Sequence, residues 1–141
     1  MDALDQQLLS LLRKDARTSV AALAKKLGVS RGTITNRITR LEDSGVIVGY
    51  TVRLRPDAEP NEISAWMSVA VEGNQTRAVI ASLLGEPGVA SLHDTNGRWD
   101  LLAELRATSL AELSQVLERI RLLRGISSTE TSLHLATYRL S

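Results

Sequence analysis

Arg31, Thr33, Thr35, Asn36, Arg37 and Arg40 crowd into one short stretch, RGTITNRITR, and each is a residue type that can read nucleic acid. Arginine bonds guanine edges, asparagine bonds adenine edges, hydroxyls suit a base or a phosphate, and a threonine methyl can touch thymine. Ile34, Ile38 and Leu41 recur among them at spacings of four and three. They therefore share one buried helical face and leave the polar side chains on the other. On an isolated helix such a face would simply be solvated, but the residues in front of it change the reading. Leu23, Ala24 and Leu27 form the apolar side of a preceding helix, Gly28 and Val29 make a turn, and Ser30 is a good N-cap. Such a turn sets the second helix across the first and lets its N-terminal end enter the major groove. The pattern is a helix-turn-helix, and double-stranded DNA is the expected partner.

The candidate DNA contacts are Ser30, Arg31, Thr33, Thr35, Asn36, Arg37, Arg40 and Lys25. Arg31 and Thr33, near the helix start, are placed for a base or the adjacent phosphate. Ser30 is first a cap, although amides at a helix N-terminus also suit a phosphate. Arg37 has two readings, a DNA contact or a bridge to Glu42, Asp43 or the backbone. Lys25 and Lys26 are either phosphate contacts or solubilising lysines.

Several elements must position these residues. Asp2 can cap a first helix running to about Arg13, with Leu4, Leu8, Leu11 and Leu12 on its buried side. KDARTS then breaks the pattern, and Thr18 or Ser19 caps the next helix, which ends near Gly28. The polar helix runs from Arg31 to about Ser44, with Gly45 as its stop. VIVGYTVRL, residues 46–54, is β-rich and reads as a wing strand or a connector, and RPDAEPNE, residues 55–62, interrupts all periodicity.

Beyond it AWMSVAV alternates as a strand, and Gln75–Leu84 forms a short helix with Val79, Ile80, Leu83 and Leu84 inward. Val89–Thr95 and Trp99–Arg106 flank Asn96-Gly97, a strong hairpin signal. Ser109 to Glu112 reads as a capping box for a helix burying Leu113, Val116, Leu117, Ile120 and Leu123, and Ile126–Leu140 is a final strand. The fold class is therefore α+β. A three-helix, winged-helix-like helix-turn-helix domain (1–45) and a β connector (46–62) precede a ferredoxin-like βαββαβ domain (63–141). Helices cover only one face of such a sheet, so the other face calls for self-association.

Composition bounds the alternatives. The chain of 141 residues has 43% hydrophobic residues but only 3% aromatics and no Phe, so its core must be aliphatic. With no cysteine there can be no disulfide, thiolate metal site or cysteine nucleophile, which fits a reducing cytoplasm. No apolar run approaches the ~20 residues of a membrane span, and MDALDQQ begins acidic rather than as a basic leader. A cytoplasmic protein with no membrane partner is expected. Residues 1–50 carry a net charge of +3 and residues 51–141 one of −2, as suits a DNA-binding part joined to a ligand or partner part.

A helix-turn-helix, a β-rich connector and a βαββαβ domain in this order resemble the Lrp/AsnC (feast/famine) family of prokaryotic transcription regulators. LDQQLLSLLRKDARTS (4–19) resembles the family opening, LD-x-x-D-x-x-IL-x-x-L followed by a polar turn ending in R-x-S. LAKKLGVSRGTITNRITRLEDSGVIVGY (23–50) resembles LA-x-x-x-G-x-S-x-x-x-V-x-x-R-V-x-x-L-x-x-x-G-V-I-x-G-Y, with Arg37 at the family's fixed arginine. NGRWDLL (96–102) resembles the G-x-x-D-hydrophobic turn of the effector domain.

The resemblance implies a DNA-binding homodimer joined through its C-terminal domains, often assembled into tetramers or octamers. It also implies a small effector, usually an amino acid, at subunit interfaces. Ala22 departs from the family's acidic residue, losing one capping bond at ~0.5–1 kcal/mol. Asn96 stands where many relatives have Thr, and Trp99 where a varied residue is usual.

On that resemblance Gly97, Asp100, Thr95, Asn96, Thr129 and Thr131 are candidate effector residues. Asp100 is either a plain strand or turn-capping acid, or a carboxylate that fixes an amino acid's ammonium or a neighbouring subunit's turn. Gly97 would let backbone amides approach a carboxylate, though an Asn-Gly turn itself demands positive φ. The threonines are hydroxyl ligands or routine strand residues. Trp66 and Trp99 read as core or interface residues. His93 and His134 lack a second ligand at metal spacing, so no metal is expected, and no cofactor either.

Two competing functions share this architecture. Sirohaem decarboxylases resemble the family in both halves and would use His and Arg around a tetrapyrrole, but they need no Arg31, Arg37 and Arg40 opposite an aliphatic face. An architectural DNA-binding protein would keep those arginines and lack the small ligand. No recognisable catalytic constellation favours an enzyme.

Overall fold

The computed structural model describes residues 1–55, 58 and 62–139. The chain divides into two compact units, Met1–Arg53 and Leu54–Ser141. In the first, α1 (Ala3–Lys14) starts with a capping box built from two aspartates. Asp2 Oδ1 accepts the Asp5 amide at 2.9 Å, and Asp5 Oδ2 accepts the Asp2 amide at 3.4 Å. Helix α2 (Val20–Leu27) is capped by Ser19, which accepts the Ala22 amide at 3.1 Å; with alanine there, no carboxylate returns the bond. Gly28 ends α2 at φ 67°, a left-handed turn that β-carbon sterics disfavour in other residues. Helix α3 (Arg31–Asp43) follows at once, with Gly45 just beyond its end.

Leu8, Leu12, Leu23, Ala24, Ile34 and Leu41 form the core of this unit, with Leu11, Leu27 and Ile38 packed against it. Burial of each large aliphatic contributes roughly 1.5–3 kcal/mol. Leu4 departs from expectation. It is only half-buried, and the buried place at the start of α1 belongs to Asp5, 4% exposed.

Residues 46–54 form neither a wing nor any other strand. A strand needs a ladder for its amides and carbonyls, and among the described residues this stretch finds none; Val48 and Val52 are 95% and 83% exposed. Of the expected boundary at 55–62, Pro56, Asp57, Glu59, Pro60 and Asn61 lie outside the described residues.

The second unit contains β1 (Ile63–Val71), α4 (Thr76–Leu84), β2 (Val89–Asp94), β3 (Leu101–Ala107), α5 (Leu110–Arg121) and β4 (Ile126–Leu133). Its sheet is antiparallel throughout in the order β2-β3-β1-β4, the ferredoxin-like arrangement. Ala65, Met67, Val69, Leu101, Ala103 and Leu105 pack beneath Val79, Leu83, Leu113, Val116 and Ile120 of the two helices. The alternate residues, Trp66 and Ser68 of β1 with Leu102 and Glu104 of β3, share the opposite, open face.

Four details differ from the sequence reading. The last strand stops at Leu133, and Leu140 lies outside the described residues. Leu84, on the flank of the buried face at the last residue of α4, is 69% exposed. The Glu112 carboxylate reaches back to Thr108 rather than Ser109, so only Ser109 caps α5 in the expected way. Finally, Asn96-Gly97 is not a two-residue turn. A six-residue loop, Thr95–Asp100, joins β2 to β3, and Gly97 does not have positive φ. At its end Asp100 bonds β1, its amide to the Val69 carbonyl and its carboxylate to the Val71 amide. No helix among the described residues is long and apolar enough to cross a membrane.

Candidate nucleic-acid interface and effector loop

Fully buried Ile34 and nearly buried Leu41 fix the inner side of α3. Outside, Arg31, Thr35, Asn36 and Arg40 are all exposed, and none bonds to another described residue. Ser30 Oγ accepts the Thr33 amide at 3.1 Å and lies 2.8 Å from the Thr33 hydroxyl, so these two close the helix start together. Lys25 is exposed on α2. Thr39 was missed by the sequence reading, although it is exposed and its spacing from Thr35 and Asn36 puts it on the same outer face.

Arg37 is different. Its Nη1 donates to Asp2 Oδ2 at 2.5 Å and to Asp5 Oδ1 at 3.1 Å, tying α3 to the first turn of α1. The expected partners Glu42 and Asp43 are not used, because on α3 itself they lie past Arg37 on other sides of the helix; Glu42 instead accepts the Tyr50 hydroxyl at 3.2 Å. Sequence reasoning missed Asp5. The available signal was a second acid three residues after the capping acid, facing a basic helix.

The hydrogen bond from Arg37, with a smaller part from the Asp5 amide, lowers the Asp2 carboxyl from its ordinary 3.8 to about 2. The Asp2–Arg37 tie therefore contributes fully above pH 3.8 and is lost as pH falls through about 2. A carbon-13 titration of the Asp2 carboxyl should show its inflection near 2, and in Arg37→Met that inflection should move up toward 3.8.

In the second unit the candidate effector residues separate into two groups. Thr95, Asn96, Gly97 and Asp100 lie together in the loop between β2 and β3. Asp100 holds that loop to the end of β1: its amide donates to the Val69 carbonyl at 3.0 Å, and its Oδ2 accepts the Val71 amide at 2.7 Å. Its own carbonyl accepts the Thr95 amide at 3.1 Å, while the Thr95 hydroxyl donates to the Trp99 carbonyl. One carboxylate oxygen of Asp100 is thus already committed to the fold, and the outward loop residues are Asn96, Gly97 and Arg98, whose guanidinium lies 5.8 Å from the Trp99 ring centre. Asp100→Ala should cost ~1 kcal/mol and speed hydrogen exchange at the Val71 amide roughly fivefold, leaving β4 amides protected.

Thr129 and Thr131 are on β4, opposite Val69 and Met67, on the side of the sheet that faces the helices. Thr129 is one strand over from the loop. Thr131 sits deeper, its Oγ1 buried and without a partner among the described residues, and is not brought to the loop. Trp66, 36% exposed, is on the open face and not in the core, with the His134 ring 5.8 Å away.

A three-helix unit with an exposed Arg/Thr/Asn face, followed by a ferredoxin-like sheet with an outlying loop, defines a two-domain helix-turn-helix regulator. Residues 1–42 match the AsnC-type helix-turn-helix domain, and residues 64–141 match the Lrp/AsnC ligand binding domain. The chain belongs to the Lrp/AsnC family of transcription regulators, with a helix-turn-helix DNA-binding domain and a ligand-binding domain.

An HTH-type transcriptional regulator of Pyrococcus horikoshii is 31% identical over 93% of this chain and 88% of its own length. HTH-type transcriptional regulator FL11 of Pyrococcus furiosus is 27% identical over 99% of this chain and 92% of its own. Among solved structures, AsnC of E. coli superposes with TM-score 0.84 at 26% identity, covering 100% of this chain and 96% of that one. A transcriptional regulator of Neisseria meningitidis, solved in complex with L-Met, has the same fold, with TM-score 0.82 at 22% identity over 100% of this chain and 94% of that one.

Proposed function

We propose that this regulator reads the major groove with Arg31, Asn36 and Arg40 of α3, with Thr35 and Thr39 beside them, while Ser30 and Lys25 hold phosphates. The observation that carries the reading is the outer face of α3, exposed and, at these side chains, without a hydrogen bond or ion pair among the described residues, above an aliphatic seat. Arg37 is left out of the contact set because its guanidinium is already engaged by two carboxylates. Residues 1–45 are the DNA-binding part, 46–62 the connector and 63–141 the effector part. A cytoplasmic location belongs to the same proposal.

The effector is an amino acid, held at the loop Thr95–Asp100 through backbone groups of Asn96 and Gly97 and the remaining oxygen of Asp100. The L-Met complex of the Neisseria protein supports that class of ligand. A second copy of the chain covers the open sheet face, where Trp66 and, diagonally across from it, Leu102 lie, giving at least a homodimer. Binding of the effector must favour one arrangement of the assembly, since equal affinity for both shifts nothing.

Thermal melts in the presence of each of the twenty amino acids test the effector. A ligand at a hundred times its Kd should stabilise by about 2.7 kcal/mol. Silence across the panel contradicts an amino-acid effector and favours an architectural DNA-binding protein. Sedimentation of the same samples should show a dimer or a multiple of it, and a monomer at micromolar concentration contradicts the assembly.

A further inference from the structure

We propose that Asp2, Asp5 and Arg37 form a clamp that sets the orientation of α3, making the first turn of α1 a positioning element for sequence-specific DNA recognition. Arg37 itself does not contact DNA. The inference rests on α3 being the reading helix and adds a device that acts through it.

The seat of α3 is aliphatic. Ile34 and Leu41 are its buried residues, and their packing is non-directional. The directional side-chain contacts of α3 to another helix, among the described residues, come from one guanidinium nitrogen that bonds two carboxylates at the start of α1. Charge-assisted bonds are roughly twice as strong as neutral ones, and like all hydrogen bonds they weaken when bent. Arg37 follows Asn36 directly and precedes Arg40 by three residues, so a rotation of α3 that loosens the clamp moves both reading side chains.

Asp5 keeps Arg37 in place. Its side chain is 6% exposed, and it is the one buried charged residue among those described. Removing its partner would leave an uncompensated buried carboxylate. Arg37 is held on the α1 side of the helix by that requirement.

The test is Asp2→Asn in the full chain. Asparagine is as good an N-cap as aspartate, and Asp2 is half-exposed, so the variant should still fold, its melting near neutral pH lowered only by the loss of the Asp2–Arg37 tie. The substitution removes a negative charge beside a DNA-binding surface, which by electrostatics alone should tighten binding to any duplex. The clamp requires the opposite for recognition.

The probes are a 30-base-pair duplex enriched by the wild-type protein from a random pool (length about three helical turns) and the unselected pool itself. Asp2→Asn should bind the selected duplex about fivefold more weakly and the pool no more weakly. Arg37→Met should also weaken the selected duplex while leaving the salt slope unchanged, and adding Asp2→Asn to it should weaken that duplex no further.

Tighter binding of both probes by Asp2→Asn overturns the proposal, and so does affinity for the selected duplex equal to the wild type's. A salt slope flattened by about 0.9 in Arg37→Met would make Arg37 a phosphate contact and overturn it as well. Enrichment by the wild type tests the reading of α3 separately; if no duplex is enriched, both fall.

Discussion

Arg31→Ala and Asn36→Ala should each weaken binding to a selected duplex by ~1–3 kcal/mol, about 5- to 150-fold in Kd, and each should relax the base preference at its own position. Both side chains are exposed and free of partners among the described residues, so their removal disturbs no internal bond. Fluorescence anisotropy against the selected duplex and its single-base variants measures the two effects. Lys25→Ala provides the contrast. Without the phosphate bond from α2, all sequences should bind more weakly by the same factor, and the salt slope should fall by about 0.9. A double variant Arg31→Ala/Asn36→Ala that still found its site normally would remove α3 from the groove.

Ile34→Ala should cost ~2–5 kcal/mol. Ile34 is 0% exposed and packs with Leu8, Leu12, Leu23 and Leu41. A cavity there empties the seat on which the recognition helix stands. Both tryptophans, Trp66 and Trp99, belong to the second unit, which has its own core. Melting followed by helical circular dichroism should therefore begin earlier in the variant, while melting followed by tryptophan fluorescence stays where it was. Fluorescence and circular dichroism shifting together would mean that the two units unfold as one.

The legible parts of the chain were those governed by local physics. The three helices of the first unit begin at Asp2, Ser19 and Ser30, because side-chain caps are sequence-adjacent events. The strand-helix alternation of the second half pointed to the ferredoxin-like order, since period-two and period-3.6 patterns differ strongly. Contacts between distant residues were less legible. Arg37 pairs with acids more than thirty positions away, and spacing on one helix pointed instead to Glu42 and Asp43.

The hairpin failed for a similar reason. Asn96-Gly97 is a strong local turn signal, but the connection runs over six residues and its last, Asp100, bonds Val69 and Val71 on another strand. Residues 46–54 show the converse. Their β-rich composition predicts a strand, and the ladder that would make one is not supplied among the described residues.

Methylation interference on the selected duplex tests the groove assignment most directly. Guanine N7 projects into the major groove and adenine N3 into the minor groove. Methylation at guanine N7 should block binding in two patches about one helical turn, ~34 Å, apart, matching two copies of α3 in successive major grooves. Interference confined to adenine N3, or absent from both, would contradict major-groove reading by this helix.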